Sequence, residues 1–310
     1  MVDSRSTPGT RASTDAPELD SPPFISGFTV IRNARQMGYP VVQAIRSILP
    51  IVDEYVVGVG QSDDDTREII ESIDDPRIRI FDAYWDPSKQ KSGFVLAEKT
   101  NEALDQCRGE WCFYLQADEV VHEDGLPVIV EACRRYHSDP RVEGLLFKYI
   151  HFYGSYSVVA KARNWYRQEV RIVRRSAGAR SIWDAQSFLV GEERKPRVKW
   201  SGATIHHYGH VKPPKRMAEK HRQMSRWYYG NSKDRAFDDF SFRQSYGLKE
   251  FEGTHPEVMK ELVAAQDWAF EPRFDPREWT RRDVKNFLSD LLEKVIRYRV
   301  GEWKKFKLLK

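Results

Sequence analysis

The feature that most constrains this chain is an alternation. From Phe24 onward, short apolar runs are followed by stretches with helical periodicity. A sheet built through crossover connections has that pattern, because each parallel strand needs a helix to carry the chain back to the same edge. Residues 24–31 form the first expected strand. Pro40 suits the first turn of a helix in which Val41, Ala44, Ile45, Ile48 and Leu49 fall at i, i+3, i+4, i+7 and i+8, the spacing of one buried face. Residues 55–59 are a second buried strand, followed by a polar turn over 60–66 and a helix that buries Ile69, Ile70 and Ile73. Further strands are expected over 77–81, 111–115, 145–150, 170–173 and 203–207. Helices are expected over 93–107, around Leu126, Ile129, Val130 and Cys133, over 215–229, and from Arg282 onward.

Composition narrows the class. Fifty Lys and Arg against 46 Asp and Glu leave a net charge of +4, too small a surplus for a dedicated nucleic-acid binder. No run of about 18 apolar residues is present, which excludes a spanning helix, and no apolar signal region opens the chain. Cytoplasmic residence is the expectation, and no nucleic-acid partner is expected. Cys107, Cys112 and Cys133 have neither Cys-x-x-Cys spacing nor a neighbouring His that would suggest a metal site. Residues 1–22 are rich in Ser, Thr, Pro and Asp with few large apolar side chains, and are read as a disordered leader.

Ligands of open α/β sheets collect outside the carboxyl ends of the strands. Three polar clusters sit at such ends: Arg32-Asn33, the turn from Ser62 to Thr66, and Gln116 to Glu119. Hard Mg²⁺ or Mn²⁺ takes oxygen ligands and shares them with substrate phosphates, so carboxylates at a strand end suit a divalent cation. The same Asp118-Glu119 pair would otherwise be a solvated, capped turn.

The order of these clusters resembles the family 2 glycosyltransferases of the GT-A fold, over about residues 24–208. "FTVIRNA" is similar to the family's first nucleotide-binding strand, and "VGVGQSDDDT" to its second strand with the S-x-D-x-T turn. "GFVLAEKTNEAL" is similar to the helix before the acidic strand, and "WCFYLQADE" stands where the D-x-D metal motif ends that strand. The resemblance implies Asp118 as metal ligand, with Gln116 in place of the first acid, and Asn33, Ser62 and Asp64 at the nucleotide. Asp64 is alternatively a helix N-cap. Val59 stands where many relatives carry an acid that grips the nucleobase, and Ala34 where many carry Glu.

Further along, "EVRIVRR" is similar to a strand of relatives that build bacterial surface glycans, which makes Arg171 a candidate for holding phosphate or acceptor. Within "SIWDAQ", Asp184 occupies the place of the catalytic base, with Glu169 as the next candidate. "TIHHYGHV" resembles a late strand whose histidine lies near metal and diphosphate. Consecutive strand residues point to opposite faces, so of His206 and His207 only one lines a site, and His207 is favoured.

Residues 211–310 are read as a helical, basic extension of a domain spanning 23–210. Phe287, Leu288, Leu291, Leu292, Val295 and Ile296 form one helical stripe, expected to pack on the domain. The lysines of the tail, through Lys310, offer peripheral contact with the inner face of a membrane. The resemblance thus implies an inverting, cation-assisted transfer of sugar from a nucleotide-sugar donor to a glycan, lipid-linked or small-molecule acceptor. The alternatives are a nucleotidyltransferase acting on a sugar phosphate, for which "IRNARQMG" is a poor match, and a non-catalytic module that binds membrane or nucleic acid through residues 212–229.

Overall fold

The computed structural model describes residues 24–89, 93–229, 240–273, 275–297, 299 and 304–310. The expected leader lies outside them. The chain opens with β1 (Ile25–Ile31), α1 (Ala34–Met37), α2 (Val41–Ile48), β2 (Glu54–Val59), α3 (Thr66–Glu71) and β3 (Ile78–Asp82). It continues with α4 (Phe94–Gln106), β4 (Trp111–Tyr114), β5 (Glu119–Val121), α5 (Leu126–Arg135), β6 (Gly144–Tyr153), β7 (Ser155–Ala160) and β8 (Gln168–Arg174). A hairpin, β9 (Ala179–Ile182) with β10 (Ser187–Val190), precedes the long β11 (Arg197–His210). Last come α6 (Pro214–Tyr229), β12 (Leu248–Glu250), α7 (Lys260–Ala264), α8 (Arg281–Ile296) and β13 (Lys307–Leu308).

The main sheet is mixed, and helices flank it, as the alternation of apolar runs and helical stretches implies. β4, β1, β2 and β3 run parallel in that order, and the antiparallel β8 follows on the other side of β4. Crossover helices cover both faces of the parallel part, and every residue of β2 and β4 is buried there. Alternation assigns side chains to two layers. Ile25, Tyr55, Val57, Trp111 and Phe113 share one core with Val41, Ile45 and Ile48 of α2 and Ile129 of α5. Phe28, Val56, Cys112 and Tyr114 face the other way, against Ala103 and Leu104 of α4. The three cysteines are buried and free.

The second half departs further from its sequence pattern. The expected short strand at 203–207 is the middle of a 14-residue one, which pairs parallel with β6 and antiparallel with β5. β7 and the β9–β10 hairpin occupy segments in which no strand was expected. The region after residue 210 carries α6, α7 and α8, and its short β12 and β13 join the main sheet at β7 and β11.

Helix α8 reverses the expectation for its stripe. Leu288, Leu291, Leu292, Val295 and Ile296 all lie exposed, while Asp283 and Asn286 are buried. The polar face has the partners. Arg243 reaches Asp283 at 2.7 Å, Asn286 donates to Asn164, and Arg167 pairs with Glu293. Bonds to Arg243 and to the segment between β7 and β8 thus fix the polar side of α8 inward.

Candidate functional site

The carboxyl ends of β1 and β4 border a cavity of about 320 Å³ roofed by α6. Asn33 enters from β1, Gln116 and Asp118 from β4, His207 from β11 and Asp184 from the β9–β10 hairpin. From α6 come Lys220, Gln223, Met224, Trp227 and Tyr228, whose i, i+3, i+4, i+7, i+8 spacing puts them on one face. That spacing was the available signal for these residues. Only the alternative, non-catalytic reading gave this basic and aromatic segment a role, as a surface for membrane or nucleic acid.

Asp118 is buried, and its Oδ2 lies 3.3 Å from Lys220 Nζ. Burial pushes its carboxyl up. The ammonium of Lys220 leads the neighbouring positive groups that more than offset this, and the carboxyl is held well below the usual carboxylate range. Lys220 also donates to the carbonyl of Gly209 at 2.8 Å.

His207 lies on the other side of Asp118, its Nε2 3.8 Å from Oδ1. Burial lowers His207 to about 4 and its neighbour His151 to about 3, so both are neutral at pH 7. Their tautomers follow from one bond. The carbonyl of Tyr166 can only accept, so His151 donates to it through Nε2, at 2.6 Å. His151 Nδ1 therefore accepts from His207 Nδ1 at 3.0 Å. The lone pair of His207 Nε2 is thereby left facing Asp118. His206 points to the opposite face, near His122 and Phe152, as strand alternation requires.

Gly209 supplies the remaining feature. A Cβ at this position would sit 2.7 Å from both Asp118 Oδ2 and His207 Nε2. Its backbone does not lie in the left-handed region, so the glycine is needed for room and not for conformation. A carboxylate oxygen and an imidazole nitrogen that converge on a kept-clear space fit a divalent cation of the Mn²⁺ type, with further ligands from a bound phosphate. Gln116 borders the same cavity, and its side-chain amide nitrogen donates to the carbonyl of Ala185 at 3.3 Å. Among the described residues no group of three His, Cys, Asp or Glu side chains is arranged to hold a metal.

Asp184 stands at the hairpin tip between Trp183 and Ala185, which have φ of 55° and 62°. Two consecutive-but-one non-glycine residues in the left-handed region mark a strained turn that aims Asp184 into the cavity. Its Oδ2 accepts from Tyr228 of α6 at 2.9 Å.

Asn33 itself has φ of 55° and is buried. It accepts from the backbone of Asp63 at 2.8 Å and donates to Gln223 at 3.2 Å, which ties the end of β1 to both the polar turn and α6.

Four expected site residues lie elsewhere or are otherwise engaged. Ser62 accepts from the backbone N–H of Asn33 at 3.0 Å, while Asp64 accepts from those of Gln36 and Thr66 at 2.9 and 3.1 Å. Both border a separate cleft with Arg67, Asp82 and Tyr84, so Asp64 organises the turn that supports Asn33. Arg171 is fully buried and forms a two-pronged pair with Glu119, at 2.9 and 2.8 Å. Tyr149 donates to the same carboxylate. Arg171 thus braces β8 against β5 and does not reach the cavity. Glu169 faces a neighbouring cavity of about 340 Å³, bordered by Arg163, Arg167, Trp183 and Lys305. Tyr166 and Gln186 border both cavities. Burial raises Glu169 to about 7 against the opposing effect of Arg171, and Gln186 donates to it at 3.0 Å.

Residues 28–139 match the model of the family described as glycosyl transferase family 2. No curated protein matches the chain. Among solved structures, TarS 1–349 of S. aureus with UDP is 13% identical, over 69% of this chain and 68% of that one, with a TM-score of 0.36. The same protein with UDP-GlcNAc is 19% identical over 43% of this chain, with a TM-score of 0.30, and the match spans 34% of that structure. Glucosyl-3-phosphoglycerate synthase of Mycobacterium tuberculosis, with Mn²⁺, UDP and phosphoglyceric acid, is 18% identical over 42% of this chain and 43% of that one, with a TM-score of 0.29. The matched segment contains Asn33, Gln116 and Asp118 at the strand ends.

Proposed function

We propose that the protein transfers a sugar from a nucleotide-sugar donor to an acceptor hydroxyl with inversion at the anomeric carbon. The observation that carries this reading is the meeting of Asp118, His207 and Lys220 at the strand ends of a family 2 segment, beside a space that Gly209 keeps clear. The chemistry has two demands: neutralisation of the leaving diphosphate and removal of the acceptor proton.

Asp118 and His207 would hold a divalent cation, which when bound supplies positive charge to the departing phosphates. Lys220 adds a second positive charge from α6, and Asn33 and Gln223 border the donor side of the cavity. Asp184 is assigned as the base that takes the acceptor proton, and the hydrogen bond from Tyr228 keeps its carboxylate in position. A displacement by a hydroxyl activated in this way proceeds once and therefore inverts. Glu169, in the adjoining cavity, is assigned to the acceptor side and not to proton removal.

Single-turnover rates with a panel of nucleotide sugars test this. Asp184→Asn should slow the chemical step by about 10²–10⁴-fold with donor affinity retained. Asp118→Asn should weaken donor binding in the presence of Mn²⁺. Full turnover by a folded Asp118→Asn protein at low Mn²⁺ contradicts the reading.

A further inference from the structure

We propose that α8 is a membrane-docking helix that lays its apolar face on an anionic lipid surface. The orientation of the helix carries this inference. Leu288, Leu291 and Val295 are 56%, 51% and 76% exposed, whereas Asp283 and Asn286 are 3% and 7% exposed. Water-facing leucines on a helix whose polar residues are turned inward are the reverse of an ordinary surface helix.

The charges are sorted in the same sense. Arg281, Arg282, Lys285, Lys294 and Arg297 are exposed, while the three acids of the helix, Asp283, Asp290 and Glu293, are buried or half-buried on the protein side. The outward side therefore presents an apolar stripe with cations around it and no compensating carboxylate from the helix itself. A second copy of this chain seated on the face would bring two such sets of cations together. A bilayer rich in anionic headgroups satisfies both parts at once, since acyl chains take the stripe and headgroups take the Lys and Arg side chains. No helix among the described residues is long and apolar enough to cross a membrane, so the geometry is that of a helix lying in the interface.

The docked face is held rigidly. Thr280 and Asp283 form a capping box at the start of α8. Arg163 donates to Ser289, and Arg167 pairs with Glu293. These arginines flank Tyr166, which borders the central cavity. Docking through α8 thus sets that cavity one chain segment away from the lipid surface. If the transferase reading holds, this placement favours an acceptor carried by a lipid.

Co-sedimentation of the full chain with phosphatidylcholine vesicles, with and without phosphatidylglycerol, tests docking without donor or acceptor. The wild type should pellet with anionic vesicles at low salt, at least about tenfold more tightly than with neutral ones, and should weaken as salt rises. The combined variant Leu288→Ser, Leu292→Ser, Val295→Ser should lose at least about tenfold in binding with its melting temperature kept, because these side chains leave no hole in a core. Three results would each overturn the proposal: no binding of the wild type to anionic vesicles, equal binding by the variant, or a wild-type dimer that the variant converts to monomer. Loss of transferase activity in an assay without lipid would bear on the proposed reaction and leave the docking result standing.

Discussion

Helices α2 and α8 have the same kind of sequence and opposite fates. Both place apolar residues at helical spacing, and both have a polar opposite face. α2 turns Val41, Ala44, Ile45 and Ile48 into the core under the parallel strands. α8 turns Asp283 and Asn286 inward and leaves its leucines in water. Periodicity identifies that a helix has two faces. Which face meets the protein depends on what the receiving surface offers, and the two surfaces differ. Below α2 lies the apolar layer of β1 and β2, and below α8 lie Arg163, Asn164, Arg167 and Arg243.

The comparison breaks most visibly at α2. Ile45→Ala removes a fully buried side chain and should cost about 2–5 kcal/mol in denaturant unfolding. A cost under about 1 kcal/mol would mean that α2 is not packed as described.

A proton-linked effect of similar size belongs to Glu169, which is packed near the segment that receives α8. Its carboxyl is raised from 4.5 to about 7, so between these values the folded state holds a proton that the unfolded chain has lost. The favourable contribution is therefore complete below about pH 4.5 and disappears as pH rises through about 7. By linkage, the stability difference between wild type and Glu169→Gln should move by about 3 kcal/mol against the wild type from pH 4.5 to 8. The buried histidines titrate in both proteins and drop out of that difference. A difference that does not change with pH contradicts the assignment.

Thr280→Ala sharpens the docked side of α8, since it removes half of a capping box and should cost about 1 kcal/mol in the same measurement. Leu291→Ala on the outward side should change stability by less than about 0.5 kcal/mol. A cost near that of Ile45→Ala would show that the stripe is covered in solution.

Much of the fold was legible because the parallel strands are short, largely apolar and separated by helices with strong periodicity. That Asp118 and His207 meet at one cavity was legible through the order of motifs and strand alternation. Other residues were not, for identifiable reasons. Arg171 has the chemistry of a phosphate ligand, and only the meeting of β8 with β5 reveals Glu119 as its partner. Asp64 looks the same in sequence whether it caps a turn or touches a ligand. Gly209 matters through what is absent from it, and the role of Lys220 depends on α6 folding back over strand ends about a hundred residues earlier in the chain.

The central claim is that Asp118 and His207 share a cation seat at the donor cavity, kept open by Gly209 and contacted by Lys220. Calorimetric titration of Mn²⁺ with a panel of nucleoside diphosphates into wild type, Asp118→Asn and Gly209→Ala tests it most directly. The account predicts that at least one nucleoside diphosphate binds the wild type with Mn²⁺, and that each variant loses at least about tenfold in affinity, because one removes the charge and the other fills the space. Equal affinity for all three folded proteins would contradict it.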